Sequence, residues 1–255
     1  FCNDTTGDLL IEDQNERSKH IHAWDNGKVL SGHAEGQTVL EILELVRKDQ
    51  GATHFLHIST AEEIGYLTAA KEEGLPITIG VCPHHLWLTQ DDVSVLGSKG
   101  MMKPELKTKV DQDALWQALQ NGIIDIVESD HAPHTLEEKS GDAPVYGVPG
   151  LETTLPLLCT AVDEGRLTVE QMIDFVSINP RKIFGVTAPD ETYTLVDLDS
   201  AYIINDGNLQ TQCGWSPFSG MRVSSKVMET WIRGTKVYDG EQVLVEEGFG
   251  QGIYG

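Results

Sequence analysis

Hydrophobic and polar positions follow two alternating periods through about the first 190 residues of the chain. Val39, Ile42, Leu43 and Val46 recur at helical spacing, which predicts a helix over TVLEILELVRK. Short apolar runs predict strands around and after it, at KVLSGH, THFLHIS, LPITIGV and IIDIVES. Strand and helix patterns thus take turns, which favours a parallel α/β layer, built either as a barrel or as a doubly wound sheet.

Capping residues predict where the other helices begin and end. Ser59 and Glu62 have the spacing of a capping box at the start of STAEEIGYLTAAKEEG, and Thr168 and Gln171 have it at the start of LTVEQMIDFVSINP. Pro180 is expected just beyond the end of that last helix. A further helix is predicted over DQDALWQALQNG, whose closing Asn-Gly pair is a helix stop.

The pattern changes after about residue 190. The segments YTLVDLD, SSKVMETWIRGTKVYDG and EQVLVEEG have the pattern of short strands separated by turns. We therefore predict two parts, an α/β layer over residues 1–190 and a small β module over residues 191–255.

Composition narrows the class of function. Hydrophobic residues make up 40% of the 255, which is enough for a buried core, and no apolar run reaches the roughly 18 residues of a membrane-spanning helix. The net charge of −22 would repel phosphate backbones and anionic lipid, so we expect a small-molecule substrate and neither nucleic acid nor membrane as a partner. An anionic substrate would need a local cation or metal to overcome that field.

Two further features suggest the cytoplasm. The opening FCNDTTGDLLIEDQ lacks the basic and apolar regions of a signal peptide. The cysteines are scattered without a CxxC pair, which is typical of reduced thiols rather than of a disulfide framework or zinc ribbon: Cys2, Cys82, Cys159 and Cys213.

Three predicted strands end in residues that bind metals. KVLSGH ends at His33, THFLHIS carries His57 near its end, and IIDIVESD ends at Asp130, followed by His131 and His134. Active sites of parallel α/β folds lie at these carboxyl ends. Two imidazoles and a carboxylate suit a divalent metal, which lowers the pKa of a bound water toward about 7. Each residue also has a plainer interpretation, as a polar turn residue or a helix cap, and the repetition favours the metal.

The remaining histidine pairs are interpreted as structural. His84 and His85, in CPHHLWL, are expected to form a packed turn with satisfied imidazoles. His20 and His22 lie in a polar, helix-like segment, where residues two apart do not face each other, and we expect them to be exposed.

ESDHAPHTLEEK resembles the dihydroorotase signature of the cyclic amidohydrolases. The likeness continues through CPHHLWLTQDD, KPELKTKVDQDALWQAL, YGVPGLETTLPLLCTAVDEGRLT, INPRKIFG and WSPFSGMRV, and it covers nearly the whole chain. It is greatest to the dihydroorotase domains of multifunctional polypeptides that also carry carbamoyl-phosphate synthetase and aspartate transcarbamoylase.

This resemblance implies a metal-dependent (β/α)8 barrel with a small C-terminal β module. It also implies an enzyme that interconverts N-carbamoyl-L-aspartate and L-dihydroorotate, with two zinc ions and a bridging hydroxide. By the matching motifs, His33 and His57 would bind one metal. Asp130 would bind the other and serve as the general base.

The same resemblance implies a set of substrate contacts. His134 would contact the substrate carboxylate, and the backbone near Pro149 and Gly150 would touch the ring. The stretch NDTT resembles the family's mobile loop over the substrate, which would bring Asn3 and Thr5 to the site and exclude water.

The chain also departs from the family pattern. No HxH with a following Arg matches the first barrel strand, and the carboxylated Lys that bridges the metals would lie just before Phe1. The resemblance therefore implies that the chain holds strands five to eight and is inactive alone. Gly80 stands where close relatives carry a Glu near the metals. Lys103 stands in place of an Arg for the substrate carboxylate, which keeps the charge and loses the bidentate fork.

Three functions remain open at this point. The first is an active zinc dihydroorotase, expected to be a homo-oligomer and possibly fused to other enzymes of pyrimidine synthesis. The second is a non-catalytic dihydroorotase-like scaffold, which the changes at Gly80 and Lys103 motivate. The third is another cyclic amidohydrolase, a dihydropyrimidinase or allantoinase, although KPEL and GVPGLETTLPLL favour dihydroorotase.

Overall fold

The structure is a computed structural model that describes residues 18–19, 22–23 and 27–252. His22 is exposed, as predicted, while His20, Asn3 and Thr5 lie outside the described residues. Four short strands form one parallel sheet whose spatial order is the chain order: β1 (Leu30–Gly32), β2 (Thr53–Phe55), β3 (Ile77–Val81) and β4 (Ile126–Val127). A sheet that runs in chain order without reversal is a barrel wall, because doubly wound sheets reverse direction at a switch point.

Helices follow the strands along the chain: α1 (Gln37–Asp49), α2 (Ala61–Glu72), α3 (Pro83–Trp87), α4 (Val93–Leu96), α5 (Lys109–Gln120), α6 (Leu136–Ser140), α7 (Leu151–Asp163), α8 (Val169–Ile173) and α9 (Asn179–Phe184). The predicted stripe of α1 is confirmed, since Val39, Ile42, Leu43 and Val46 are all buried. They pack with the strand residues in one hydrophobic core.

The predicted capping box of α2 is wrong by one residue. Thr60, rather than Ser59, is the N-cap, and its hydroxyl accepts a hydrogen bond from the backbone N–H of Glu63. The motif STAEE offers two successive hydroxyls and two successive acids, so its spacing fits either register. Tertiary contact selects Glu63, whose buried carboxylate also accepts a hydrogen bond from the backbone N–H of Gly36 at 2.7 Å.

The capping box of Thr168 and Gln171 is confirmed, but the helix does not stop before Pro180. A π-helical turn over Asp174–Ile178 connects α8 directly to α9, and Pro180 lies in the first turn of α9. A proline is tolerated there because the wider turn changes the local hydrogen-bonding pattern and the proline needs no N–H donor.

The β module has two small antiparallel sheets. β5 (Tyr193–Asp197), β8 (Lys226–Ile232) and β9 (Thr235–Tyr238) form one in the order β5-β8-β9, and β6 (Tyr202–Ile203) pairs with β7 (Arg222–Val223). The strand predicted over EQVLVEEG is wrong, because only an isolated bridge joins Val243 to Tyr238. Val243 and Leu244 are exposed, so no burial stabilises a strand there. The division at residue 190 stays a prediction.

A second apolar cluster joins the module to the α/β part. Trp215, Phe218 and Val223 of the module pack with Met102 and Leu157. The helices within the described residues are all too short or too polar to cross a bilayer. Three cysteines within the described residues are free and buried: Cys82, Cys159 and Cys213.

Candidate metal centre and active site

His33 and His57 meet at the carboxyl ends of β1 and β2. The Nδ1 atom of His33 lies 2.6 Å from the Nε2 atom of His57, and the two rings are tilted by 53°. The strand register explains the meeting, because Gly32 is paired with Phe55 and each histidine follows within two residues. Two nitrogens at this distance share one proton or one cation.

The His57 imidazole is a neutral base with an available lone pair. Its pKa is lowered to about 3, mainly by burial and to a smaller extent by the neighbouring His33 and His85. Its Nδ1 atom is buried and has no hydrogen-bond partner in the described part of the chain. A neutral imidazole with an unused ring nitrogen is the form that binds divalent metals. The two imidazoles therefore have the chemistry of metal ligands, and within the described residues Asp130 does not come close enough to form a three-ligand group with them.

Asp130 lies just beyond β4, three strands away from His33 in the sheet order. The pKa of its carboxyl is raised to about 6, mainly by burial and to a smaller extent by the nearby Glu128 carboxylate. Its backbone adopts a left-handed conformation, with φ of 44°. A carboxyl with a pKa near 6 can both take up and release a proton close to neutral pH.

Glu128 connects these strand ends and was missed by the sequence analysis. Its Oε1 atom accepts a hydrogen bond from the backbone N–H of His57 at 2.5 Å, and its Oε2 atom lies 3.4 Å from Nε2 of His54. The available signal was its spacing from Asp130, because residues two apart along an extended chain point to the same face. An acidic residue on the face of a candidate metal ligand is a candidate for the same site.

Cys82, His84 and His85 form a second buried donor cluster after β3. One donor atom of each lies within 4.8 Å of the others. His84 and His85 are buried, as predicted, but they lie in the short helix α3, and their ring nitrogens are not all hydrogen-bonded within the described residues. His85 bonds Pro104 O at 3.0 Å through Nε2, while His84 Nε2 and His85 Nδ1 have no hydrogen-bond partner among the described residues. Burial lowers the pKa of His85 to about 4 and lowers that of His84 as well, so both rings are neutral.

The predicted substrate residues His134 and Gly150 lie on two segments that pack together. His131 bridges Val148 in parallel, and the backbone N–H of Gly150 donates to His131 Nδ1 at 3.2 Å. An added Cβ at Gly150 would lie 2.5 Å from Ser129 O, so this close approach requires glycine.

The His134 side chain is one third exposed, at 34%, and available to a ligand. Its backbone carbonyl accepts a hydrogen bond from Nε1 of Trp215 at 2.9 Å, which ties the segment around His134 to the β module. Pro149, the remaining predicted contact, is buried beside Gly150.

Lys103 keeps its charge but is already paired. Its Nζ atom lies 3.0 Å from Oε1 of Glu105 and 5.0 Å from the ring centroid of Tyr146. The hydrogen bond with Glu105 raises the pKa of the lysine. A substrate carboxylate at this position would compete with Glu105.

Lys139 is a fully buried lysine that the sequence did not reveal. Its Nζ atom donates to three backbone carbonyls, those of Met101, Val145 and Gly147, at 2.8, 2.9 and 3.0 Å. Burial lowers its pKa to about 8. The pattern LEEK is typical of a solvated helix face, so nothing in the sequence indicated that this ammonium fixes the loop before Gly150.

Two curated relatives cover most of the chain. The multifunctional protein CAD of Squalus acanthias is 41% identical over 254 residues, which is 99% of this chain and 11% of that protein. The dihydroorotase of Pyrococcus furiosus is 36% identical over 219 residues, which is 83% of this chain and 51% of that enzyme. The chain thus spans between about a tenth and about half of the length of these relatives.

Two solved structures share the fold. The L-hydantoinase (dihydropyrimidinase) from Arthrobacter aurescens superposes with a TM-score of 0.89 at 25% identity, covering 98% of this chain and 66% of that one. The inactive dihydroorotase-like domain of the Chaetomium thermophilum CAD-like multifunctional protein has a TM-score of 0.77 at 26% identity, covering 93% and 66%. These likenesses and the parallel sheet confirm the predicted fold, the C-terminal portion of a (β/α)8 barrel with a β module.

The family profile gives the most direct assignment. Residues 19–189 match the profile of the Amidohydrolase family, which includes β1 to β4 and all the site residues described above except Trp215. Amidohydrolases are generally metal-dependent hydrolases, which agrees with the donor set at the strand ends. The chain belongs to the amidohydrolase family.

Proposed function

We propose that this chain is part of a zinc-dependent dihydroorotase, which interconverts N-carbamoyl-L-aspartate and L-dihydroorotate in de novo pyrimidine synthesis. The main support for this proposal is the contact of His33 with a neutral, buried His57 at adjacent strand ends. The ESDHAPHTLEEK motif and a relative named dihydroorotase at 36% identity support the choice of reaction within the family.

In this proposal His33 and His57 hold one zinc ion and Asp130 holds the other. Neutral imidazoles and a carboxylate are the ligands that zinc takes in hydrolytic sites. A bound zinc would polarise the ring carbonyl and lower the pKa of a water, which makes that water a nucleophile at neutral pH. Burial has already removed the proton from His57, so binding costs no deprotonation there.

The protein groups have separate tasks around the reacting amide. Asp130, with a pKa raised to about 6, takes the proton of the attacking water and returns it to the leaving nitrogen. His134 is exposed enough to donate a hydrogen bond to the substrate carboxylate. The glycine at position 150 lets its loop lie close to Ser129, beside the space for the ring.

The test is Asp130→Asn in the full-length protein. General acid–base catalysis is worth about 10²- to 10⁴-fold, so we expect dihydroorotate turnover to fall by about a thousandfold while the circular dichroism spectrum is unchanged. Asp142→Asn, at an exposed position of the loop after α6, is the matched control and should keep full activity. Near-normal turnover in Asp130→Asn would contradict the role given to Asp130.

A non-catalytic dihydroorotase-like scaffold is the second candidate. The likeness to an inactive dihydroorotase-like domain favours it, as does the pairing of Lys103 with Glu105. The two candidates differ in metal content and turnover of the full-length protein. About two zinc ions per chain with dihydroorotate hydrolysis would exclude the scaffold, whereas a zinc-free, inactive protein would establish it. A panel with dihydrouracil, hydantoin and allantoin would separate dihydroorotase from other cyclic amidohydrolases.

The assembly is also part of the proposal. We place the activity in the cytoplasm, in a homo-oligomer fused to carbamoyl-phosphate synthetase and aspartate transcarbamoylase domains. The similarity to a multifunctional protein over 99% of this chain supports the fusion. The intact mass of the native polypeptide tests the fusion, and light scattering tests the oligomer. The isolated 255-residue chain is expected to be inactive.

A further inference from the structure

Gly80 and Glu128 lie side by side at the ends of β3 and β4. The pairing of Val81 with Val127 and the hydrogen bond from Glu128 N to Val81 O at 3.0 Å fix their relative position. A Cβ added at Gly80 would lie 2.6 Å from Cδ and 2.9 Å from Oε2 of Glu128, and closer still to Oε1. Real Cβ atoms do not approach other atoms so closely, so the carboxylate occupies the space that any side chain at position 80 would need.

The carboxylate in that space binds the residue that follows β2. Its Oε1 atom accepts the hydrogen bond from the backbone N–H of His57 at 2.5 Å. Its Oε2 atom lies 3.4 Å from Nε2 of the fully buried His54, whose Nδ1 atom lies 2.8 Å from the Thr78 hydroxyl. His54 and Thr78 are direct partners in the β2–β3 register. The carboxylate is therefore held by groups whose positions the sheet fixes.

His57 needs such a partner because its backbone is strained. Its φ of 41° lies in the left-handed region, which costs a non-glycine residue about 1–3 kcal/mol. A hydrogen bond from a backbone N–H to a carboxylate is charge-assisted and stronger than a neutral one. It stabilises the conformation in which the His57 ring meets His33.

We infer that Glu128 is a positioning residue that holds His57 in its metal-binding orientation, and that Gly80 is required to make room for the Glu128 carboxylate. Glu128 acts through His57, because its shortest contact is the hydrogen bond that it accepts from the backbone N–H of that residue. This inference rests on the proposed function insofar as His57 is a metal ligand. It also gives a physical reason for the glycine at position 80.

The experiment is a double-mutant cycle in the full-length protein with Glu128→Ala, Gly80→Ala and the double variant. Groups that orient a metal ligand are worth about 10- to 100-fold in metal affinity or activity. We expect each single change to lower the zinc affinity, measured against a chromogenic chelator, and kcat by that factor, with KM changed less than about threefold. In the Glu128→Ala background, Gly80→Ala should cost nothing more, because the space is already vacant.

Two further variants sharpen the cycle. Glu128→Gln keeps an oxygen that can accept the His57 N–H, so it should recover at least about tenfold of the loss in Glu128→Ala. Gly32→Ala is the matched control in the same sheet, since its Cβ would contact only Ile42 Cδ1, at 3.8 Å, and zinc affinity should not change.

The outcomes are distinguishable. Additive losses in the double variant, or a zinc affinity of Glu128→Ala within twofold of the parent, would overturn the positioning role. A parent protein that binds zinc but does not turn over dihydroorotate would defeat the proposed function, and the zinc affinities would still decide the role of Glu128. If Glu128→Ala does not fold, the same cycle is measured with Glu128→Ser, whose short side chain also leaves the space beside Gly80 vacant.

Discussion

At the scale of single residues, burial decides the charge state of the groups at the strand ends. It lowers the pKa of His57 to about 3 and that of His85 to about 4, and it raises the pKa of Asp130 to about 6. The histidines are therefore neutral at pH 7 and available as ligands, while the aspartate lies close to its titration point. The pKa values of the histidines and of the aspartate move in opposite directions for one reason. Burial disfavours both the charged imidazolium and the charged carboxylate.

The burial of His85 predicts a stability that depends on pH. Its pKa is about 4 in the folded protein and about 6.5 in the unfolded chain, so unfolding takes up a proton between these values. Stability is then complete above about pH 6.5 and falls, by about 3 kcal/mol from this group, as the pH drops toward 4. In His85→Gln, which can still donate to Pro104 O, the gap between the thermal midpoints at pH 7.5 and pH 5 should shrink. An unchanged gap would show that His85 does not carry this dependence.

The sequence predicted the proposed metal ligands and did not indicate Glu128 and Lys139, which hold neighbouring backbone groups in the structure. His33, His57 and Asp130 follow apolar strands, where polar side chains are unusual enough to be informative. Glu128 also follows an apolar strand, but an acid at a strand end is common at protein surfaces, and Lys139 is a lysine in a short polar helix, which is an ordinary surface residue as well. Their roles depend on the space beside Gly80 and on three carbonyls brought together from two loops, which only the tertiary structure specifies.

At the scale of elements, periodicity predicted which segments are helices and strands, and tertiary contacts decided where they end. The stripe of α1 is buried as predicted. The cap of α2 moved to Thr60 because Glu63 also bonds Gly36, a contact that no local pattern contains. The π-helical turn before Pro180 likewise depends on packing rather than on a local stop signal.

The loop that leads into α7 depends on one buried ammonium. In Lys139→Met, three carbonyls lose a charged donor inside the protein, which should cost at least about 3 kcal/mol of the free energy of unfolding. We expect a lower thermal midpoint and faster amide exchange over residues 141–147 in the full-length protein. The control is Lys109→Met, whose exposed ion pair with Asp113 is worth about 0.5 kcal/mol or less. Equal effects of the two changes would contradict the role of Lys139.

At the scale of the whole molecule, the β module contacts the part of the proposed site that we assign to the substrate. Trp215 is completely buried in the cluster that joins the module to the barrel portion, and its indole donates to the carbonyl of His134. The metal side is built from strand ends of the parallel sheet alone. The two halves of the proposed site thus depend on different parts of the fold, which makes their contributions separable.

This separation gives the last prediction, Trp215→Phe. Phenylalanine keeps an aromatic ring in the cluster and removes the donor to His134 O, a loss of about 1 kcal/mol from the free energy that holds the His134 segment in place. Because the proposal places the substrate carboxylate at His134 and leaves the metal ligands untouched, KM for dihydroorotate should rise, by up to about fivefold if substrate binding feels the whole loss, with kcat and zinc content within twofold of the parent. Trp231→Phe is the control, since that indole donates to Glu229 within the module. An equal rise in KM in both variants would mean that the module affects the site only through general stability, and a fall in zinc content in Trp215→Phe would mean that the two halves are not independent.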